Sequence, residues 1–311
     1  MLTTRAARST LSSARWEVFW FTAVCRFTPD RGPNDLPRSK AAALGIQSHI
    51  LETQVTTMFQ PPGYDRAIAI EAAGLVTQAY DQYDQFAKGL QWALQGNYVN
   101  LGILSASPPP GLVAEPFGFV AQNKTSNNVF ITFRGTQSIE DWMSNLSFPQ
   151  VHHPWGQVEA GFKNLYDQCS QATKAAVAAA VNAGAVVVTG HSLGSALATL
   201  AVADLVSAGA GPAPGMYNFA SPRVGDPRFA ESFNKNVLCK WRIANTEDIV
   251  TTVPLATPRL ASSLFDHSPL AMVLMLAHEL DYEHVGDCVT FTTHNGSIVA
   301  NHQMPTYIAA L

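Results

Sequence analysis

The chain has 311 residues, of which 47% are hydrophobic and only 14% are charged. Because average soluble proteins carry roughly 25% charged residues, this composition excludes disorder as the general state of the chain. The net charge of −4 is spread without long runs of one sign, and the sequence therefore argues against nucleic-acid binding.

The first part of the chain differs in character from the rest. Residues 1–60 show no sustained periodicity, so we predict a weakly structured N-terminal extension followed by a single domain over residues 61–311. Three arginines precede the apolar stretch 16–25, as in a signal peptide, but Glu17 interrupts that stretch. The cellular location is therefore left open, with an extracellular location favoured.

From residue 61 onward, predicted strands and helices alternate. The predicted helices are 64–80, 158–181, 193–206, 227–233 and 304–311, and the predicted strands are 128–133, 185–189, 216–220, 237–243 and 296–299. This alternation predicts an α/β fold with a mainly parallel central sheet, helices on both faces, and functional residues at the carboxyl ends of the strands. Residues 175–203 carry no charge, but three glycines interrupt them, so we predict no transmembrane span.

The strand predicted over residues 128–133 is followed directly by Arg134, Gly135 and Thr136. A polar residue at this place can supply a backbone N–H group, and also a hydroxyl, to a developing oxyanion. Thr136 is therefore a predicted oxyanion donor. Alternatively, or in addition, it ends the strand and prepares the next helix.

A short amphipathic helix is predicted after this loop. Ser138 begins a capping-box pattern that ends at Asp141. Apolar residues then recur at helical spacing, and they are Ile139, Trp142, Met143 and Leu146. A helix of two turns beside an oxyanion loop predicts a movable lid, and plain core packing is the alternative.

The segment Gly190-His191-Ser192-Leu193-Gly194 matches the pattern G-x-S-x-G between a predicted strand and a predicted helix. This context favours a nucleophile elbow over a chance glycine-rich turn, because the strained turn that exposes Ser192 needs tiny residues two positions away on either side. The N–H group of Leu193 is the second predicted oxyanion donor, since it opens a helix. His191 is predicted to point away from the serine hydroxyl and to be a packed, hydrogen-bonded side chain.

Four ordered segments resemble the class 3 lipase family, the fungal-lipase-like branch of the α/β-hydrolases. Residues 129–146 resemble its oxyanion strand and lid, 188–198 its elbow, 220–226 its G-x-P-R-V-G-[DN] segment, and 245–250 the stretch that carries its acid. The likeness covers about residues 62–311, and it implies an α/β-hydrolase fold. The chain departs from the family pattern at Glu159, which replaces a histidine, and at Ser195 and Ala220, which replace glycines.

The acid and the base of an α/β-hydrolase follow the serine in the chain, in that order. Asp248 comes shortly after a predicted strand and is the predicted acid, while its neighbour Glu247 is predicted to be solvated. Five histidines follow, and they are His267, His278, His284, His294 and His302. His302 is the predicted base, because it lies between the predicted last strand and the closing helix, and His284 is the alternative.

These residues predict a serine hydrolase that cleaves carboxylic esters of lipids, in which Ser192 attacks, His302 takes its proton and Asp248 orients the imidazole. The apolar stretch 268–277 is either a buried helix or a wall for acyl chains, and it favours water-insoluble esters and contact with a lipid–water interface. Phospholipase A1 activity, feruloyl-esterase activity and a non-catalytic interaction module are the alternatives. No cofactor and no metal are expected, since no metal-ligand spacing is present.

Overall fold

The computed structural model describes residues 58, 60–108, 111, 113–137, 148–209, 212–254 and 281–311. Three predictions lie outside these residues: all but two positions of the N-terminal extension, the lid over residues 138–146, and the apolar stretch 268–277. The single domain over residues 61–311 therefore stays a prediction.

Within the described residues, the strands are β1 Tyr98–Ala106, β2 Glu115–Asn123, β3 Val129–Phe133, β4 Gln150–His153, β5 Gly156–Glu159, β6 Val186–His191, β7 Gly215–Phe219, β8 Lys240–Asn245 and β9 Asp287–Phe291. Seven of them form one sheet in the order β1-β2-β3-β6-β7-β8-β9, and β4 pairs with β5 separately. In this sheet the strands β3, β6, β7, β8 and β9 run parallel to one another. Strand β2 pairs antiparallel with both β1 and β3. The predicted mainly parallel sheet is confirmed.

The helices in the described residues are α1 Arg66–Ala87, α2 Ala160–Ala179, α3 Leu193–Ala208, α4 Pro227–Asn236, α5 Ile298–His302 and α6 Met304–Ala310, with a 3₁₀ turn at Ile249–Thr252. None of them is long and apolar enough to cross a membrane.

Two hydrophobic clusters cover the two faces of the sheet. Side chains alternate along a strand, so Val129 and Ile131 of β3 belong to one cluster and Phe130 belongs to the other. The first cluster contains buried residues of α2, α3 and α4, and the second contains those of α1 and α6. Helices therefore lie on both faces, as predicted, and the carboxyl ends of the parallel strands meet at one edge of the sheet.

The strand predicted over residues 296–299 is wrong. The Ser297 hydroxyl accepts a hydrogen bond of 3.1 Å from the Ala300 N–H group, which starts helix α5, and β9 is the last strand of the sheet. A short apolar run has too little periodicity to distinguish a strand from a helix, and here the cap at Ser297 favours the helix. The helix predicted from residue 158 likewise begins at Ala160, since Val158 and Glu159 end β5.

Candidate active site

Ser192 lies on the turn between β6 and α3 in a strained backbone conformation. Its φ is +57° and its ψ is −127°, a combination that side-chain-bearing residues rarely adopt. Two glycines make this turn possible: a Cβ atom on Gly190 would lie 2.2 Å from the carbonyl oxygen of Gly194, and one on Gly194 would lie 2.5 Å from that of Arg134. The serine is thus held in a single tight turn at the carboxyl end of a central strand.

The loop after β3 packs directly against this turn. A Cβ atom on Gly135 would lie 2.9 Å from the Cβ atom of Ser192, so the two backbones are in close contact. Thr136 is the next residue and is half-buried, and Leu193 is the first residue of α3. The first N–H groups of a helix have no carbonyl partner within it, so the structure brings both predicted oxyanion donors to the same turn as Ser192.

Arg134 restrains the loop that carries Thr136, the predicted oxyanion donor. Its guanidinium is buried between the rings of Tyr83 and Phe117, with distances of 3.8 Å and 4.4 Å to the ring centroids, and it pairs with Glu115 at 2.6 Å. The same group donates a hydrogen bond of 2.8 Å to the carbonyl oxygen of Gly135. A planar cation that contacts two rings and is hydrogen-bonded at its edge leaves this loop little freedom.

Asp248 and His302 form a buried hydrogen-bonded pair. His302 Nδ1 donates to Asp248 Oδ2 at 2.8 Å, and Tyr307 Oη donates to the same oxygen at 2.6 Å. The other carboxylate oxygen accepts a bond of 3.0 Å from the Val250 N–H group. Burial and the charge of Asp248 raise the pKa of Tyr307 well above its ordinary value, so its hydroxyl stays a donor.

Two polar atoms at this site have no hydrogen-bond partner among the described residues. They are Ser192 Oγ and His302 Nε2, and both are buried from solvent. Buried polar atoms are ordinarily paired, so an unpaired hydroxyl and an unpaired imidazole nitrogen are exceptions that a candidate catalytic site would explain. Proton transfer from Ser192 Oγ to His302 Nε2 would require a hydrogen bond between these two atoms. Catalytic hydrogen bonds of this kind often form fully only when substrate binds.

Two asparagines tie the acid loop to the histidine loop, and sequence reasoning missed both. Asn245 Nδ2 donates to the carbonyl oxygens of Thr293 and Asn301, at 2.9 Å and 3.1 Å. Asn301 Nδ2 in turn donates to the carbonyl oxygen of Glu247 at 3.1 Å. Their only sequence signal is that each lies within three residues of the predicted acid or base.

The other described histidines that follow Asp248 have different partners. His284 Nε2 donates to the carbonyl oxygen of Thr251 at 2.7 Å, and burial with nearby arginines lowers its pKa to about 3. His294 faces Glu247 at 3.2 Å on the surface. His267 and His278 lie outside the described residues. Among the histidines that the structure describes in this region, His302 is the one bonded to Asp248.

The three departures from the family pattern each have a local structural role. Glu159 caps α2, since its Oε2 accepts a bond of 2.6 Å from the Phe162 N–H group. Ser195 Oγ contacts the carbonyl oxygens of Gly190 and Phe219, both at 2.7 Å. Ala220 takes a φ of +52°, a conformation that glycine adopts at lower cost.

A groove of about 290 Å³ opens beside His302. It runs from α1 past the oxyanion loop to α5 and α6, and its lining includes Thr77, Tyr80, Thr136, Val299, Met304, Pro305 and Ile308. Apolar side chains dominate the wall formed by α5 and α6. In the part of the chain that the structure describes, no group of three His, Cys, Asp or Glu side chains is placed to hold a metal ion.

Comparison with known proteins gives a consistent family. The family model described as Lipase (class 3) matches residues 130–257, a range that includes Ser192 and Asp248 but ends before His302. The chain is 35% identical over 152 residues to a secreted mono- and diacylglycerol lipase A of Penicillium cyclopium, which covers 46% of this chain and 48% of that protein. It is 29% identical over 224 residues to the chloroplastic phospholipase A(1) DAD1 of Arabidopsis thaliana, with 61% and 48% covered.

A solved structure gives the same fold. It is titled as a triacylglycerol lipase whose catalytic centre is a serine protease triad, and it superposes with a TM-score of 0.51 at 25% identity over 62% of this chain and 77% of that one. These matches confirm the predicted resemblance and the predicted α/β-hydrolase fold. The chain spans about half the length of the curated relatives it matches.

Proposed function

We propose that this chain is a serine hydrolase of the class 3 lipase kind that cleaves the carboxylic esters of lipids, and the match of residues 130–257 to that family model supports this proposal. One observation carries the proposal: a buried carboxylate holds the imidazole of His302 at 2.8 Å, and that imidazole packs at 4.6 Å between ring centroids against His191, the residue before the positive-φ Ser192. In this proposal Ser192, His302 and Asp248 are the catalytic residues, and Thr136 and Leu193 supply the oxyanion donors.

The geometry supports an acyl-enzyme mechanism. His302 Nε2 takes the proton of Ser192 while the serine oxygen bonds to the ester carbonyl carbon, and the N–H groups of Thr136 and Leu193 stabilise the oxyanion. The ester C–O bond then breaks and the leaving alcohol takes the proton from His302. Water repeats the sequence on the acyl-enzyme. Asp248 keeps the proton of the free imidazole on Nδ1, which leaves Nε2 able to accept.

The apolar groove beside His302 supports a lipid ester over a small polar one, because apolar walls bind hydrocarbon chains. We propose acylglycerols as substrates, in line with the name of the Penicillium relative, and an extracellular location. The lid of Ser138, Ile139, Trp142, Met143 and Leu146 and its contact with a lipid–water interface belong to the same proposal. So does the division into an extension over residues 1–60 and one domain over residues 61–311.

Phospholipase A1 activity is the second candidate. The match to the Arabidopsis phospholipase covers 61% of the chain, whereas the match to the Penicillium lipase covers 46%. The two activities use the same residues and differ in the alcohol part of the ester, so the substrate profile decides between them.

The proposal is tested by measuring hydrolysis of emulsified triacylglycerol, phosphatidylcholine vesicles and a soluble short-chain ester. Ser192→Ala is expected to lower turnover by on the order of 10⁶-fold. Ser207→Ala is the matched control, because this serine lies near the far end of α3 and its hydroxyl donates to the carbonyl oxygen of Ala203, within the same helix, at 2.7 Å.

Each outcome has a distinct meaning. Faster turnover on vesicles than on triacylglycerol would favour the phospholipase, and a preference for aromatic esters would favour a feruloyl esterase. Hydrolysis that survives Ser192→Ala would refute the mechanism, and no hydrolysis of any ester by the wild type would indicate a non-catalytic interaction module.

A further inference from the structure

A chain of hydrogen bonds joins the oxyanion loop to the backbone of His302. The Gly135 N–H group donates to Tyr80 Oη at 3.0 Å, and Tyr80 Oη lies 2.7 Å from His191 Nδ1. On the other side of the same ring, His191 Nε2 lies 2.7 Å from the carbonyl oxygen of His302. The rings of His191 and His302 are 4.6 Å apart between centroids. We call Tyr80 and His191, with these three bonds, the bridge.

The donor and the acceptor of every hydrogen bond in the bridge can be assigned from its two terminal backbone groups, an N–H group and a carbonyl oxygen. The carbonyl oxygen of His302 can only accept, so His191 Nε2 carries a hydrogen. Burial lowers the pKa of His191 well below its ordinary value, so its other nitrogen is bare and accepts from Tyr80. Burial also raises the pKa of Tyr80, which keeps its hydroxyl protonated. Tyr80 thus accepts from Gly135 and donates to His191, and no polar atom is left over.

The two ends of the bridge are backbone groups. His302 is the last residue of the five-residue helix α5, and the carbonyl oxygens at a helix end receive no hydrogen bond from an N–H group of the same helix. Gly135 directly precedes Thr136. Arg134 binds the carbonyl oxygen of Gly135, and Tyr80 binds its N–H group, so both backbone polar groups of Gly135 are held. The bridge therefore connects the loop that would stabilise the oxyanion to the backbone of the histidine that would transfer the proton.

We propose that Tyr80 and His191 are positioning residues that hold the oxyanion loop and the His302 backbone at a fixed separation. This inference rests on the proposed hydrolase function. Neither side chain is given a role in bond making. Because a displacement of about 1 Å at a reacting group can cost about 100-fold in rate, loss of the bridge should lower turnover while substrate binding remains.

The first test is Tyr80→Phe, which removes one oxygen and keeps the ring. We expect kcat to fall about 10- to 100-fold while KM changes by less than about twofold, measured per active site after titration with a phosphonate inhibitor. Tyr217→Phe is the matched control: that buried hydroxyl accepts from the Asp65 N–H group that precedes α1, at 3.4 Å, and does not touch the oxyanion loop. The control should leave kcat unchanged.

The second test compares two replacements of His191. Glutamine carries an acceptor and a donor on one planar group, as neutral imidazole does, whereas leucine carries neither. His191→Gln is therefore expected to retain more of the wild-type kcat than His191→Leu by about tenfold. Thermal unfolding shows whether both variants are folded. Active-site titration then restricts the measured rate to folded enzyme, so the comparison of kcat is separate from misfolding.

The double variant Tyr80→Phe with His191→Leu shows whether the two residues act as one unit. If they do, the double variant is no slower than the slower single variant, because the bridge is already broken. Multiplying losses, or a wild-type kcat for Tyr80→Phe, would overturn the inference. A wild type that does not depend on Ser192 would instead overturn the proposed function, so the two failures are distinguishable.

Discussion

Replacing Asp248 by asparagine changes one oxygen of a fully buried carboxylate into an NH₂ group, and its effect can be worked out from the hydrogen bonds. Oδ2 accepts from His302 and Tyr307, and Oδ1 accepts from the Val250 N–H group. If the amide oxygen takes the Oδ2 position, the NH₂ group faces the Val250 N–H group. A buried donor is then left unpaired, which costs about 1–3 kcal/mol.

The flipped amide avoids this cost. Its oxygen accepts from Val250 and its NH₂ group donates to Tyr307, whose hydroxyl can turn, and to His302 Nδ1. The imidazole then carries its hydrogen on Nε2 and cannot accept the proton of Ser192. Since 1.4 kcal/mol is a factor of ten, a cost of about 1–3 kcal/mol leaves roughly 1–15% of molecules with the competent tautomer. The lost carboxylate charge lowers the rate further, so we expect kcat to fall by about 10³- to 10⁴-fold.

The assay is steady-state hydrolysis of a soluble ester by Asp248→Asn, with the concentration of active sites measured independently. Asp204→Asn is the matched control, because Asp204 also accepts from a tyrosine, Tyr166 Oη at 2.8 Å, but lies on α3 away from the elbow. A variant at Asp248 that keeps more than about a tenth of the wild-type kcat, or an equal loss at Asp204, would refute the reasoning.

Three further predictions concern stability. Burial raises the pKa of Glu159 above its ordinary value of 4.5, so the stability that its protonated form contributes is present below pH 4.5 and is lost as the pH rises through the folded pKa. Glu159→Gln should therefore flatten the fall of the unfolding free energy with pH above pH 4.5. Burial lowers the pKa of His284 from 6.5 to about 3, so the free energy of unfolding falls as the pH drops from 6.5 towards 3. His284→Gln should make this fall smaller in acid-unfolding curves. Gly194→Ala should lower the unfolding free energy by more than about 3 kcal/mol in urea titrations, because its Cβ would lie 2.5 Å from backbone oxygens. Gly74→Ala is the control and should not lower it, because Gly74 lies within helix α1 and a Cβ there meets nothing within 4 Å.

Much of the fold was predictable because it follows from local chemistry. The three valines before Gly190 favour a buried strand, and the long apolar run after Leu193 favours a helix, in agreement with β6 and α3. The strands β1 and β2 were not predicted. Their partners are each other and β3, and nothing within one of them specifies such pairing.

The sequence by itself determined the tight turn at Ser192, since its need for glycine on both sides is a steric property of a few adjacent residues. Tertiary structure alone decided that Tyr307 reaches Asp248 across 59 positions and that Tyr80 reaches His191 across 111. Hydrogen bonds between distant segments depend on how whole elements pack, and that packing is a property of the folded chain rather than of any short stretch of it.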